Sequence, residues 1–239
     1  FVEKSGLGPF DDVTIEMDEG GAIELVTGAA SVGQGVETAM AQICAETLGV
    51  DYTSIRVIHG QTDRIERGMG AFASRVTVMT GEATRRATLV LRDKILRFAA
   101  GLMQTAASEL TLADGVVRRI EGPGATMSVR EVAAAMIGGG ERPFAEASFE
   151  SSHMVYPYGI HIAQVRVDRD TGLVAVERYL VAYDIGRAVN PMLVQGQISG
   201  GIAQGIGGAL YEEFLYDERG EPLSVTFAGY DIGQLAQMP

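Results

Sequence analysis

Three stretches of this sequence combine residue types and spacings that could hold a polyanion. In Ala30-Ser31-Val32-Gly33-Gln34-Gly35-Val36-Glu37-Thr38 a strand pattern passes through a Gly-Gln-Gly turn directly into a helical pattern. Such a turn leaves backbone N–H groups unpaired at a helix N-terminus, where the helix dipole favours an anion. Gln34 adds an amide that can both donate and accept. The same residues also read as a plain strand–helix turn. The second stretch, Arg67-Gly68-Met69-Gly70-Ala71-Phe72-Ala73-Ser74-Arg75-Val76-Thr77, sets small residues and Ser74 ahead of another helical pattern. It reads equally as a backbone cradle or as an ordinary N-cap loop. The third stretch is Asp184-Ile185-Gly186-Arg187-Ala188-Val189-Asn190-Pro191, followed by Gln197 and Gln204. Asn-Pro is a good helix entry, and two glutamines seven apart lie on nearly one helix face. Each glutamine either satisfies nearby backbone or meets a polar ligand.

Other chemistries find less support. His59, His153 and His161 are scattered without metal-ligand spacing. Gly-x-Ser-x-Gly, Walker A and Cys-x-x-Cys patterns do not occur. Gly205-x-Gly207-Gly208 lies inside a helical pattern, so it is not a dinucleotide fingerprint. The one cysteine, Cys44, excludes a disulfide framework or a multi-cysteine metal site within the chain, and its helical setting reads as core. A reducing, cytoplasmic location is expected. A net charge of −12 disfavours nucleic acid as a partner. No apolar run approaches the roughly 20 residues of a membrane span. The 31 glycines are about twice the usual share of roughly 7%. They cluster at Gly33 and Gly35, Gly68 and Gly70, Gly138 to Gly140, and Gly196 to Gly208, which points to a site lined by backbone. The chain opens on Phe1-Val2-Glu3-Lys4, with neither an initiator methionine nor a signal pattern, so it is expected to begin inside a longer polypeptide.

The elements that must position these stretches follow from periodicity and punctuation. Residues 13–17 and 22–26 form an expected hairpin around Asp18-Glu19-Gly20-Gly21. A helix is expected over 36–48 with Gly49 as its stop, then a buried strand over 54–58. A second helix is expected over about 78–103, and a hairpin over 111–127 around Ala113-Asp114-Gly115. Ser128 and Glu131 form a capping box for a short helix. Gly138-Gly139-Gly140-Glu141-Arg142-Pro143 is the candidate linker, dividing a first lobe, 1–137, from a second, 144–239. Strands are expected over 159–167 and 173–183, joined by a turn at 168–172. A glycine-rich helix over 192–212 should then be packed tightly, since each glycine costs about 1 kcal/mol of helicity. The fold class is α+β, with mixed sheets and packed helices.

Taken together, the stretches resemble the molybdenum-cofactor-binding large subunit of the xanthine dehydrogenase, aldehyde oxidase and aerobic carbon monoxide dehydrogenase family. The resemblance runs through Gly33-Gln34-Gly35-Val36-Glu37-Thr38-Ala39-Met40-Ala41-Gln42-Ile43, His59-Gly60-Gln61-Thr62-Asp63 and Gly70-Ala71-Phe72-Ala73-Ser74-Arg75. It continues through Tyr156-Pro157-Tyr158-Gly159, Tyr183 to Pro191, and Gly196 to Gly205. Each motif is weak alone; all of them in family order are specific.

The resemblance implies a molybdenum–molybdopterin cofactor, in its cytosine dinucleotide form, with iron–sulfur clusters and FAD on partner domains or subunits of an oligomer. It implies oxidation of an aldehyde, an N-heterocycle or carbon monoxide, with water as oxygen source. It assigns Gln34 of the Gly33-Gln34-Gly35 turn to a hydrogen bond near the metal's oxo group, with no direct metal ligand from this chain. It assigns Phe72, Ala73 and Ser74 to the loop beside the metal centre and pterin, and Asn190 and Gln197 to the pterin or its phosphate. The family's base glutamate lies in a Gly-x-Gly-Glu segment near the subunit's C-terminus, expected to fall after Pro239; Gly138-Gly139-Gly140-Glu141 belongs to the candidate linker, and Gly229 to Gln234 fits the family poorly. No glutamate here is therefore assigned as catalyst, and the chain reads as an internal fragment. The alternative is a non-catalytic domain that folds without cofactor. Loss of a general base alone costs about 10²–10⁴-fold. The 239-residue polypeptide is accordingly expected to show no turnover of aldehydes, purines or carbon monoxide with a dye acceptor. Cofactor-dependent turnover above background would refute this expectation.

Overall fold

The computed structural model describes residues 1–234 and 238. The chain divides into two compact units. The larger comprises Lys4–Tyr156; the smaller comprises Phe1–Glu3 with the residues from Pro157 onward.

The larger unit is built on a four-stranded sheet whose strands lie in the order Ile55–Ile58 (β3), Ile23–Thr27 (β2), Phe10–Met17 (β1) and Phe144–Glu150 (β7). β1 (Phe10–Met17) and β2 (Ile23–Thr27) form the expected hairpin, with Glu16 opposite Glu24 and Met17 opposite Ile23. Alternation decides what β1 buries. Asp11, Val13, Ile15 and Met17 are all inward and fully buried. Asp11 thus occupies a position where the pattern calls for an apolar side chain. From β2 the chain crosses through α1 (Val36–Leu48) to β3 (Ile55–Ile58), which lies parallel to β2. α1 ends on Gly49, in the left-handed conformation at φ 89°.

The long helix α2 (Val76–Leu102) packs against α1, β1 and β7. Its buried stripe includes Met79, Ala83, Ala87, Leu91, Ile95 and Ala99. The alanines, with Gly81 facing Ile43, let the two helices and the sheet approach closely. β4 (Leu110–Ala113) and β5 (Val116–Arg119) form the second hairpin, turning at Asp114 and Gly115, both at positive φ. β6 (Met127–Ser128) adds to β5 and leads into α3 (Val129–Gly138). Ser128 and Glu131 close the capping box in both directions.

The structure moves the expected lobe boundary. Residues 138–143 are the end of α3 and a turn inside the larger unit, and they lead into β7 (Phe144–Glu150), which pairs antiparallel with Phe10–Glu16 of β1. That ladder binds 144–150 to the first half of the chain, and the division falls at Tyr156/Pro157. Sequence reading assigned no strand here because Phe-Ala-Glu-Ala-Ser-Phe-Glu is rich in residues that are poor in strands.

In the smaller unit, β8 (Tyr158–Val167) and β9 (Val174–Asp184) form a long hairpin with a bulge at Gln164/Val165. Val2 bridges to Tyr158. α4 (Pro191–Leu210) follows. The tight packing expected of this helix does not occur among the described residues: a Cβ at Gly196, Gly200, Gly201, Gly205 or Gly208 would meet nothing within 4 Å. Only Ile206 and Gly207 of α4 are buried.

Gly49 supplies the first test. A Cβ there would enter the Leu112 carbonyl, and the left-handed conformation itself disfavours a side chain by about 1–2 kcal/mol. Gly49→Ala should therefore cost more than Ser128→Ala, for which loss of an N-cap predicts about 1 kcal/mol. Urea denaturation of both variants checks the ranking; equal losses would contradict it.

Candidate functional site

β2 delivers the chain to the first stretch. Thr27 Oγ1 accepts the Ala29 N–H at 3.1 Å, which turns the backbone at the strand's end. Gly33 and Gly35 both stand in the left-handed region, at φ 96° and 80°, and Gly33 has open space on every side a Cβ would face. Gln34 stitches the turn from within. Its Oε1 accepts the Val32 N–H at 2.7 Å and its Nε2 donates to the Ala30 carbonyl at 3.2 Å. One amide proton remains without a partner among the described residues.

A second stitch joins this turn to β3 and α1. His59 Nε2 lies 2.7 Å from Glu37 Oε1, the Ser31 hydroxyl donates to Glu37 Oε2 at 3.2 Å, and the Ser31 N–H points at His59 Nδ1 at 3.4 Å. The tautomer that satisfies all three contacts carries its proton on Nε2. Glu37 also accepts its own backbone N–H. That bond, then His59 and Ser31, holds its carboxyl below the usual range. The first turn of α1 therefore already carries an anion, which disfavours a phosphate at that end.

The second stretch is welded to the first. Gly28 and Gly68 approach so closely that a Cβ on either would overlap the other's Cα, and the Gly70 N–H donates to the Gly28 carbonyl at 3.1 Å. Arg67 clamps the same region to β1, donating to both Asp12 oxygens at 2.7 and 2.9 Å. Beyond Gly70 (φ 74°) come Phe72, 42% exposed, then Ala73 and Ser74, two consecutive residues with side chains in the left-handed region at φ 47° and 49°. α2 begins next. Its first turn holds no acid and its N-cap, Arg75, makes no side-chain cap. Unlike α1, this first turn carries no acid of its own.

Arg75 itself is fully buried. Its Nε donates to the Leu7 carbonyl at 2.9 Å, and its terminal nitrogens donate to Phe10 O (2.5 Å), Gly70 O (3.1 Å) and Asp11 Oδ2 (3.2 Å). Thr80 donates its hydroxyl to the same Asp11 oxygen. Burial pushes the Asp11 carboxyl up, opposed by Thr80, Arg75 and the Asp12 N–H.

The third stretch lies in the smaller unit. Asp184 accepts the Gly186 N–H and the Tyr158 hydroxyl, both at 3.0 Å, which hold its carboxyl down. Asn190 is the N-cap of α4, accepting the Leu193 N–H at 3.0 Å, with Pro191 opening the helix. Gln197 and Gln204 are exposed along that helix. Of the residues picked out by sequence, Gly33, Gln34, Gly35, Phe72, Ala73 and Ser74 share one joined pair of loops, and Asn190 and Gln197 share α4. Cys44 is buried in α1, and burial pushes its thiol up to about 11, which leaves it inert. Sequence reading missed Arg75, Asp11 and the Glu37–His59 pair. Asp11 had a signal: it sits in phase with Val13, Ile15 and Met17, where an acid must find a buried partner. The other two join residues far apart in sequence and had none.

The two loops ahead of α1 and α2 are thus joined to each other and fixed to one sheet. Comparison with known proteins gives the family. The molybdopterin cofactor-binding domain family matches residues 1–239 throughout, and the chain belongs to it. It is 37% identical to the 6-hydroxypseudooxynicotine dehydrogenase complex subunit gamma of Paenarthrobacter nicotinovorans, over 100% of this chain and 31% of that protein. It is 32% identical to the nicotine 6-hydroxylase large subunit of the same organism, over 96% of this chain and 29% of that protein. The crystal structure of quinoline 2-oxidoreductase from Pseudomonas putida 86 superposes with a TM-score of 0.92 at 32% identity, covering 100% of this chain and 33% of that one. The chain thus spans about a third of the length of these relatives. The fold is that of the molybdenum-cofactor-binding domains, as the α+β reading expected.

The Glu37 clasp has a pH signature. Its carboxyl is lowered from 4.5, so its contribution is in place above that value and is lost as pH falls through the lower folded value. Amide exchange at 31–35 should quicken, relative to the sheet, only on acidification below about 4.5. Glu37→Gln should remove that acid-dependent step. A step that survives in the variant would show that another group controls the turn.

Proposed function

We propose that these residues hold a molybdenum–molybdopterin cofactor, in its cytosine dinucleotide form, within a protein that oxidises a small molecule using water as oxygen source. The observation that carries this reading is the joined pair of loops, which expose main chain at Gly33 and Gly70 where a Cβ would meet no neighbour. Backbone contact also lets a protein of net charge −12 hold an anion without a basic patch. Gln34 would offer its remaining amide proton to the cofactor, and Gly33 and Gly35 would admit it closely. Phe72 would pack against it, while Ala73 and Ser74 would line it. The anionic end suits α2, whose first turn is free of acid, better than α1, where Glu37 already stands. In the smaller unit, the family resemblance assigns Asn190, the N-cap of α4, and Gln197 to the pterin or its phosphate. Bound there, the cofactor supplies two-electron oxidation. Iron–sulfur and flavin partners, as domains or subunits of an oligomer, would take the electrons away. N-heteroaromatic compounds are the first substrates to test, because nicotine and quinoline appear in the names of similar proteins; aldehydes and carbon monoxide follow. A cytoplasmic location fits the single buried thiol, and among the described residues no helix is long and apolar enough to cross a membrane.

One observation favours the alternative of a domain that folds without cofactor: both functional atoms of the Gln34 amide already have partners inside its own turn. Gln34 variants of the whole parent enzyme separate the two readings. Gln34→Ala removes a partly buried polar contact worth about 1–3 kcal/mol. It should lower turnover per molybdenum more than it lowers molybdenum content. Gln34→Glu should be worse, since it sets a carboxylate against an electron-rich centre and loses the bond to the Ala30 carbonyl. Metal content, melting temperature and turnover measured on the same preparations decide. Loss of melting temperature with unchanged turnover per molybdenum in both variants would remove Gln34 from the site.

A further inference from the structure

Arg75 has a fully buried guanidinium beside a loop whose own residues are half-buried or exposed. We propose that Arg75 is a positioning residue for the Gly70–Ser74 loop, acting through its buried fork and touching no ligand. The proposal rests on reading that loop as part of the cofactor site.

Three observations converge. The first is where the fork points. Three of its four acceptors are backbone carbonyls, Leu7 on the approach to β1, Phe10 at its first residue and Gly70 at the start of the loop. The Arg75 backbone N–H meanwhile donates to the Phe72 carbonyl at 3.2 Å. One residue thus ties the loop at its beginning, at its middle and to the sheet. Gly8 marks how close the fit is: at φ 103°, a Cβ there would come to 3.2 Å from the guanidinium Nε.

The second is what lies between the ties. Ala73 and Ser74 are both left-handed, which side chains disfavour, and such strain persists only where the surroundings over-determine it. The Arg75 fork and its backbone N–H hold that loop on one side, as the Gly70-to-Gly28 hydrogen bond holds its start on the other.

The third is the counter-ion. Asp11 is fully buried on an otherwise apolar strand face and shares its oxygen between Arg75 and Thr80. Buried ion pairs are generally matched or surpassed in stability by apolar side chains of similar volume. A pair at the foot of this loop is better explained by where it holds the backbone than by the stability it adds.

The test uses Arg75→Lys and Ala73→Gly in the whole protein, with three readouts: hydrogen exchange at 70–74 without cofactor, melting temperature, and molybdenum and pterin per polypeptide. Lysine keeps a charge for Asp11 but cannot reach three carbonyls as a planar fork does. Exchange at 70–74 should rise roughly tenfold beyond that of the sheet, and cofactor content should fall. Ala73→Gly leaves Arg75 in place and relieves the strain. It should hold or raise the melting temperature while exchange at 70–74 quickens and cofactor content falls, opposite signs that a purely structural role does not produce. If Arg75→Lys lowers the melting temperature while 70–74 exchanges no faster than the rest, the positioning role is overturned. If Arg75→Lys does not fold, Ala73→Gly decides, and a fall in its melting temperature overturns the proposal. Faster exchange at 70–74 with unchanged cofactor content in both variants supports the positioning role and overturns the cofactor reading of the loop.

Discussion

A guanidinium taken out of water must have its donors answered, or the cost of desolvation is not recovered. At Arg75 the answer comes from four directions within the larger unit. Leu7 belongs to the approach to β1, Phe10 and Asp11 to β1 itself, and Gly70 to the second loop, while Arg75 is where α2 begins. Thr80, one turn into α2, closes the set through Asp11. Removing one partner from such a pair costs about 3–5 kcal/mol, because the other is left charged and unpaired. Sheet, loop and helix are thereby locked together at the start of α2.

The second joint is apolar and steric. Gly28 and Gly68 leave no room for a side chain, so the two loops meet main chain to main chain. Together with the Gly70-to-Gly28 hydrogen bond, this makes one continuous backbone surface from two segments about forty residues apart. The two helices that follow are electrically unlike. α1 begins with Glu37, held by its own N–H, His59 and Ser31; α2 begins with no acid and no side-chain cap. An anion meeting this surface is repelled at one helix and attracted at the other, so the surface has an orientation as well as a shape.

Much of the fold was legible in the sequence because its signals are local. Both hairpins of the larger unit sit on Gly and Asp turns, α1 runs over the expected 36–48, and Ser128 and Glu131 close their capping box. What was not legible depends on contacts between distant residues. β7 carries a weak strand pattern and exists because β1 offers a full ladder to pair with, so the glycines before it read as a linker and not as a turn. The same holds for the site. The Gly-Gln-Gly turn and the residues before α2 announce themselves by type and spacing, and the family motifs gather them. The residues that hold those loops do not. Arg75 is one arginine among many until the structure shows its side chain without exposed surface, and Glu37 is one more acid on a helix until His59 is placed opposite it.

The smaller unit shows the other limit of such reading. β8 and β9 carry apolar residues on both faces, Ile160, Ile162 and Leu180 on one, Val165 and Val167 on the other, and all five are exposed. That composition belongs to strands covered on two sides. The glycines of α4 likewise have the character of a helix approached closely by something else, yet all but Gly207 meet only open space among the described residues. Composition therefore records the packing these elements are suited to, and the described residues do not fill it. The larger unit differs in this respect. Its loops are held by contacts that all lie within Lys4–Tyr156, from the Gly28–Gly68 joint to the Arg75 fork. The backbone surface at Gly33–Gly35 and Gly70–Ser74 is therefore set by that unit's own residues, whereas the surroundings of Asn190 and Gln197 depend on what packs against α4.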